Sequence, residues 1–293
     1  MKSSKYIKIF IVIMPFLVLY IAFNIYVSST ALKINHFTCP SDKLTPDQSV
    51  SLVVLSDLHE HTFGPGNEVL AQRVAEQSPD LILLAGDFIN DDSEDSDIVC
   101  ETIRNLNKIA PVYYALGNHE LGYMERHPEL VAELESAGAT VLEEAYVDVT
   151  VDEIPVRIGG MYAYAFNLKE REMLESDRAL SKAFLESFED TDSVKVMMSH
   201  RPDSFCFGDA TQAWNVDLVV SGHNHGGQVV LPFLGGLYGG DQGWFPEYVH
   251  GMYEKDGMHL FVTSGLGSDS KLLPRFGNRP EVAVITIVSP ETE

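Results

Sequence analysis

SLVVLSDLH, residues Ser51–His59, decides the fold. Leu52, Val53, Val54 and Leu55 form an apolar run with no polar alternation, which predicts a strand buried on both faces. Strands of that kind belong in the middle of an α/β sheet. Asp57 and His59 then fall just past its C-terminal end, the edge at which open α/β sheets bind ligands. An Asp-x-His pair is weak evidence by itself and gains weight only if other strands deliver matching groups to the same edge.

Other strands do so. Leu81–Ala85 is a second apolar run and ends in Gly86-Asp87, and Val112–Leu116 ends in Gly117-Asn118-His119-Glu120. Further on, Val194–Met198 ends in Ser199-His200, and Val216–Val220 runs into Gly222-His223-Asn224-His225-Gly226-Gly227. Each motif alone has a bland account: a single His is usually a satisfied core residue and a Gly-Asp a turn. Their recurrence after one apolar strand after another makes chance placement improbable.

Between these runs lie helical patterns. Asn67 is a candidate cap for a helix with Val69, Leu70 and Val74 on one side. Val99, Ile103, Leu106 and Ala110 follow helical spacing, and Pro128 and Gly138 bracket a helix with Leu130, Val131 and Leu134 inward. Strand–helix units repeated three times predict βαβ connections and a mostly parallel sheet. The pattern then changes to a hairpin with one wet face: Val147, Val149 and Val151 alternate, Pro155 falls in the turn, and Val156 and Ile158 follow. A helix is predicted over about Leu168–Phe188, with Leu180, Ala183, Phe184 and Phe188 as its stripe. Leu260–Thr263 and Val282–Val288 read as closing strands.

Carboxylate, imidazole and amide donors together suit Mn, Fe or Zn rather than thiolate-seeking metals. Asp87 is the candidate bridge between two ions, because its strand lies between those of the other donors in chain order. A metal pair activates water and clamps attacking and leaving oxygens at phosphorus. His119, beside Asn118, is then available to protonate the leaving oxygen or stabilise charge.

The order Asp-x-His, Gly-Asp, Gly-Asn-His-Glu, His, Gly-His-x-His resembles the calcineurin-like metallophosphoesterase superfamily from about Leu52 to Gly227, with the closing strands extending it to near Val288. The resemblance implies an α/β class fold, a four-layer α/β/β/α sandwich around a dinuclear site. It implies Asp57, His59, Asp87 and His225 on one metal, Asp87, Asn118, His200 and His223 on the other, and His119 as the catalytic histidine beside a neighbouring carboxylate. Glu120 matches the last motif position. Many members carry a carboxylate three residues after the bridging Asp, where this sequence has Asn90 followed by Asp91. Gly-His-Asn-His-Gly-Gly-Gln, Pro202, the aromatic Gly-rich loop, Gly265–Gly267 and Arg279-Pro280-Glu281 are similar to a bacterial membrane-associated branch. That branch is linked to phosphodiester or pyrophosphate substrates, some lipid-like.

The N-terminus agrees with a membrane location. Ile9–Val27 is apolar apart from Tyr20, Asn24 and Tyr26, and Lys2, Lys5 and Lys8 precede it. At 1.5 Å per residue the run nearly spans a bilayer. The basic flank predicts residues 1–8 in the cytoplasm and the remainder outside it, at the cell membrane as a single-pass protein. Pro15 is tolerated in a membrane span. The competing account is a cleaved signal peptide; a retained anchor is favoured because the run exceeds a usual signal core. Residues 28–49 read as a Pro-, Ser- and Asp-bearing linker. Residues 50–293 then form the catalytic domain, roughly 240 residues and large enough for one core.

Acidic residues outnumber basic ones 43 to 20, a net charge of −23. That surface repels nucleic-acid backbones, so no nucleic-acid partner is expected. Cys39, Cys100 and Cys206 are widely spaced and form neither a zinc cage nor a disulfide framework. One pair with a free thiol, or three reduced cysteines, both fit. Arg201 either holds a substrate phosphate or is a surface residue. Tyr238, Trp244, Phe245 and Tyr248 either wall a lipid or base site or pack a long loop. His61 reads as a solvated loop residue. The expected activity is hydrolysis of a small or lipid-linked phosphate ester by attack of metal-activated water. A metal-dependent nuclease and a non-catalytic metal-binding surface protein are the alternatives.

Overall fold

The computed structural model describes residues 2–165, 175–269 and 273–290. Helix α1 (Lys2–Thr30) leads into strands β1 (Lys33–Pro40), β2 (Ser49–Leu55), β3 (Leu81–Leu84), β4 (Val112–Ala115) and β5 (Ala139–Leu142). Strands β6 (Ala145–Val151), β7 (Ile154–Gly160), β8 (Val194–Met198) and β9 (Leu218–Ser221) follow. Four two-residue strands come next, β10 (Val230–Leu231), β11 (Gly235–Gly236), β12 (Tyr238–Gly239) and β13 (Gly243–Trp244). Strands β14 (Gly251–Lys255), β15 (Met258–Val262) and β16 (Glu281–Val288) close the fold.

Two six-stranded sheets result, in the orders β1-β16-β2-β3-β4-β5 and β14-β15-β9-β8-β7-β6. The strands β2 to β5 are mutually parallel, as are β7, β8, β9 and β15. Strand β2 shows why the opening run has no alternation. Leu52 and Val54 face the second sheet, where they pack with Val156, Val196 and Val220. Val53 and Leu55 face the opposite way, toward Leu70, Val99, Ile103 and Leu134 of helices α2 (Glu68–Ala75), α3 (Asp97–Leu106), here followed by α4 (Asn118–Met124) and α5 (Leu130–Ala137). The outer face of the second sheet is covered by α6 (Glu175–Glu189), α7 (Asp203–Cys206) and the short α8 (Ala210–Ala213), through Phe184, Leu185, Phe188 and Phe205. The layers are therefore α/β/β/α, and both sheets are buried on both faces.

Several expectations change. The stretch 28–49 is not simply a linker: α1 continues to Thr30, and β1 pairs in parallel with β16 from Lys33↔Glu281 to Pro40↔Val288. Its half-polar sequence reflects an edge position with one covered side. The helix predicted from Leu168 is described from Glu175, its first residues lying outside the described residues. Leu180 and Ala183 are exposed; the inward stripe is Ser181, Phe184, Leu185 and Phe188, one residue out of phase with the expected one. Val69 is exposed, and Asn67 does not cap α2: its side chain accepts the Phe63 N–H at 2.7 Å and donates to Thr102 Oγ1 at 2.7 Å. Strands β11, β12 and β13 occupy part of the aromatic Gly-rich loop. All three cysteines are free and buried.

Candidate metal centre

The C-terminal ends of β2, β3, β4, β8 and β9 converge between the sheets. Asp57 follows β2, Asp87 follows β3, Asn118 and His119 begin α4 after β4, His200 follows β8, and His223 and His225 follow β9. Asp57, His59, Asp87 and His200 are buried and His223 and His225 are half-buried at the cavity wall, and burial of polar groups is costly unless they are paired or ligated.

Three clusters of donors emerge among the described residues, one of them made by His59, His119 and Asp269. The donor atoms of Asp57, His59 and His225 lie within 4.8 Å of one another, and so do those of Asp87, His200 and His223. Asp87 Oδ2 stands between them, 3.0 Å from His200 Nε2 and 4.0 Å from His59 Nε2. His59 Nε2 and Asn118 Oδ1 are buried and make no hydrogen bond among the described residues, while His200 Nε2 faces the Asp87 carboxylate. The opposite edges of the rings are fixed: His59 Nδ1 lies 2.9 Å from Asn90 Oδ1, His200 Nδ1 2.7 Å from the Ala85 carbonyl, and His225 Nδ1 3.3 Å from the Gly267 carbonyl. Imidazoles held at one nitrogen, with the other turned toward a carboxylate as in His59 and His200, have the arrangement of metal ligands. Oxygen and nitrogen donors with no thiolate suit Mn, Fe or Zn.

The backbone is bent to make this convergence. Asp57, His59, Asp87, His223 and His225 all have φ between 45° and 67°, in the left-handed region. Non-glycine residues avoid it, and such strain concentrates at functional sites. Gly86 makes the crowding possible, because a Cβ there would come within 2.7 Å of Gly117 Cα and 2.8 Å of His200 Nδ1.

The electrostatics divide the histidines. Burial pushes His59 down, with His225 adding to it, and burial pushes His223 well below its ordinary value. Burial and Arg275 bring His225 down to about 4. In all three rings burial favours the neutral form, the one that binds metal. Burial opposes a charge on His200, but the adjoining Asp87 overcomes it and raises the ring to about 9. Burial likewise opposes the Asp87 charge, and His200 holds that carboxyl well below its usual range. Burial raises Asp57 despite the N–H of His223 at 2.9 Å.

His119 stands at the rim, its ring 4.8 Å from that of His59. Nδ1 accepts the Asp91 N–H at 3.3 Å and lies 3.6 Å from Asp91 Oδ1, while Nε2 lies 3.6 Å from Asp269 Oδ2. The departure at Asn90 is thereby explained: Asn90 orients His59, and the carboxylate near His119 comes from the next residue. The cavity in front has a volume of about 470 Å³ and is lined by Asn118, His119, His223, His225, Tyr238 and Trp244, among others.

Arg201 is not a surface residue. Its side chain is buried, its guanidinium pairs with Asp241, and it lies 5.1 Å above the Tyr164 ring. Asp241 Oδ2 also lies 3.1 Å from His223 Nε2. His61 is half-buried against Phe63. Sequence reasoning missed Asp241 and Asp269, which lie in loops without a motif, and the function of Glu120. Glu120 is fully buried and accepts N–H groups from Asp87, Phe88 and Gly117 and the Tyr114 hydroxyl. Its place at the end of Gly-Asn-His-Glu was the available signal.

Known proteins resemble this chain along most of its length. It is 29% identical to the phosphodiesterase YaeI of Escherichia coli over 81% of this chain and 82% of that protein. An uncharacterized metallophosphoesterase of Helicobacter pylori is 25% identical over 77% of this chain, which spans only 56% of that longer protein. Among solved structures, the phosphopantetheinyl hydrolase PptH of Mycobacterium tuberculosis superposes with a TM-score of 0.47 at 17% identity, covering 74% of this chain and 90% of that one. The calcineurin-like phosphoesterase family model matches residues 50–227, more than half of the chain, so the protein belongs to that family and is a metal-dependent phosphoester hydrolase.

Proposed function

We propose that the chain is a membrane-anchored phosphoesterase whose two metal ions share Asp87. Asp57, His59, Asp87 and His225 would hold one ion; Asp87, Asn118, His200 and His223 would hold the other. The observation that carries this is the pair of buried atoms without a hydrogen bond, His59 Nε2 and Asn118 Oδ1, together with His200 Nε2, which faces the Asp87 carboxylate at 3.0 Å. A bound metal pair supplies activated water and offsets charge on the phosphoryl oxygens.

The chain's own residues do the rest. His119 lines the cavity between the Asp91 and Asp269 carboxylates, each 3.6 Å from a ring nitrogen. As the cationic ring it would pass a proton to the departing oxygen and be left as neutral imidazole, which makes His119 the general acid. Asn90 and the Ala85 and Gly267 carbonyls keep the rings in register. Arg201 neutralises Asp241 beside His223 and serves the site by position rather than by contact with phosphate.

The substrate is a small or lipid-linked phosphodiester, pyrophosphate or monoester, with the diester favoured by the name of the Escherichia coli relative. Phe10–Thr30 is apolar and long enough to cross a membrane, a property shared by spans and signal sequences. We assign it as a retained anchor with the catalytic domain outside the cytoplasm. Tests follow directly. An aryl phosphodiester, an aryl monoester and a nucleotide-linked pyrophosphate are offered to purified protein in Mn²⁺, with Asp87→Asn as blank. Hydrolysis of none of them by metal-loaded protein rejects the catalytic assignment.

A further inference from the structure

We infer that the rim of the catalytic cavity rests on a lipid bilayer, with Phe233, Leu234, Trp244 and Phe245 seated in its surface. The inference rests on the assignment of α1 as a membrane anchor and extends it to the opposite side of the cavity.

Two neighbouring hairpins carry these side chains. Phe233 and Leu234 form the tip between β10 and β11, and Trp244 and Phe245 end the β12–β13 hairpin. Phe233 is fully exposed, Leu234 is 62% exposed, and Trp244 and Phe245 are each 64% exposed. Phe233 and Phe245 moreover have left-handed backbones, with φ of 69° and 56°. A bulky aromatic residue rarely accepts that conformation, and here it does so without gaining a buried ring. A cluster of large apolar groups turned outward marks a surface built for an apolar partner.

The partner is identified by where the hairpins are attached. The Val230 N–H donates to the Phe276 carbonyl at 2.8 Å, and the Phe276 ring meets the edge of Tyr20 on α1 at 6.3 Å. Asn278 N–H bonds Ser28 Oγ at 3.2 Å, and the Arg279 guanidinium reaches the Ala31 and Leu32 carbonyls at 2.8 and 2.7 Å. The domain is thus strapped to α1 rather than hung below it. Tyr20 lies ten residues before Thr30, the end of the apolar helix, which is roughly 15 Å along its axis. The loop bearing Phe276 therefore runs beside the apolar helix. With Phe10–Thr30 in a bilayer, that loop and the β10–β11 hairpin bonded to it lie at the level of the lipid.

The same surface is the rim of the site. Tyr238 and Trp244 line the cavity, with ring centroids 5.5 Å apart. Asn278 Nδ2 donates to the His225 carbonyl at 2.5 Å, so the strap that reaches α1 also touches the candidate metal loop. Charge selects the kind of lipid surface. A chain of net charge −23 is not drawn to anionic headgroups, so the contact is apolar and made with a zwitterionic or neutral surface. An amphiphilic phosphoester can then present its head to the metals while its chains stay in the leaflet.

The experiment uses the full chain reconstituted in phosphatidylcholine vesicles. Trp214→Phe leaves Trp244 as the sole tryptophan of the two in the sequence. Vesicles with brominated acyl chains are expected to lower Trp244 fluorescence by about half or more relative to unbrominated ones. Phe233→Ser with Leu234→Ser should weaken that quenching. The double substitution should also slow hydrolysis of a vesicle-embedded phosphodiester amphiphile by roughly threefold or more, with a water-soluble aryl phosphodiester affected less than about twofold. Protein that floats with vesicles but shows no quenching, with Trp244 open to iodide, overturns the docking and leaves the anchor standing. Shielding from iodide without bromolipid quenching overturns it too, in favour of a protein partner or a second copy. Protein that does not float overturns anchor and docking together. Failure on the aryl diester rejects the phosphoesterase assignment, while the quenching still decides the docking.

Discussion

The carboxylate of Glu120 grips the backbone of Asp87: Oε2 accepts the Asp87 N–H at 2.8 Å, and Oε1 accepts the next N–H, of Phe88, at 2.7 Å. The same group takes the Gly117 N–H at 2.8 Å and the Tyr114 hydroxyl at 2.6 Å, tying the ends of β3 and β4 together. Glu120→Gln keeps the shape but turns an NH2 group toward donors. A buried acceptor lost in this way costs about 2–4 kcal/mol. Denaturant unfolding should show that loss, with metal content falling as Asp87 shifts. An unchanged midpoint would remove Glu120 from its role.

His119 projects from the rim, where it groups with His59 and Asp269 but with neither Asp57 nor Asp87. His119→Ala should therefore retain metal and lose rate, by roughly 10²–10⁴-fold. The loss should be greatest on esters with poor leaving groups, which most need a proton. Rates compared across a series of leaving groups check this, and an equal loss on every ester contradicts the acid role.

Arg201, whose side chain is buried, pairs with the half-buried Asp241 next to His223. Removing one partner strands the other, so Arg201→Met should cost about 3–5 kcal/mol in unfolding free energy. Adding Asp241→Asn should restore much of it. Had Arg201 instead been an open phosphate contact, the single substitution would raise KM and leave stability intact.

Glu281 gives a pH test away from the metals. Burial raises its carboxyl, yet hydrogen bonds from His250 Nε2 and the Ser264 N–H, both at 2.8 Å, bring it down to about 2. The folded value lies below the unfolded one, so its contribution is complete above about pH 4.5 and is lost as pH falls toward 2. The shift corresponds to about 3 kcal/mol. The stability difference between wild type and Glu281→Gln should shrink by that order across this window; a flat difference contradicts the assignment.

What the sequence shows well is what depends on near neighbours along the chain. An unalternating run such as Leu52–Leu55 reports burial on both faces, and the residue just after it reports the sheet edge, so Asp57, His59, Asp87 and the later histidines could be found without coordinates. Partnerships between distant segments leave no such trace. Strand β1 looks like a linker because its partner β16 lies some 250 residues away. His250 has no evident companion until the fold brings Glu281 to it. The α6 stripe is misread by one residue, since Ser181, buried and bonded to Glu144, holds an inward position that an apolar pattern assigns elsewhere. Arg201 looks exposed by type, and only Asp241 and Tyr164 account for its burial.

The central claim is that two metal ions share Asp87, and elemental analysis of the purified chain tests it most directly. Two ions per chain in the wild type, with both depleted in Asp87→Asn and hydrolysis lost alongside, is the predicted result. A variant that keeps two ions, or a wild type fully active with fewer than two, would contradict it.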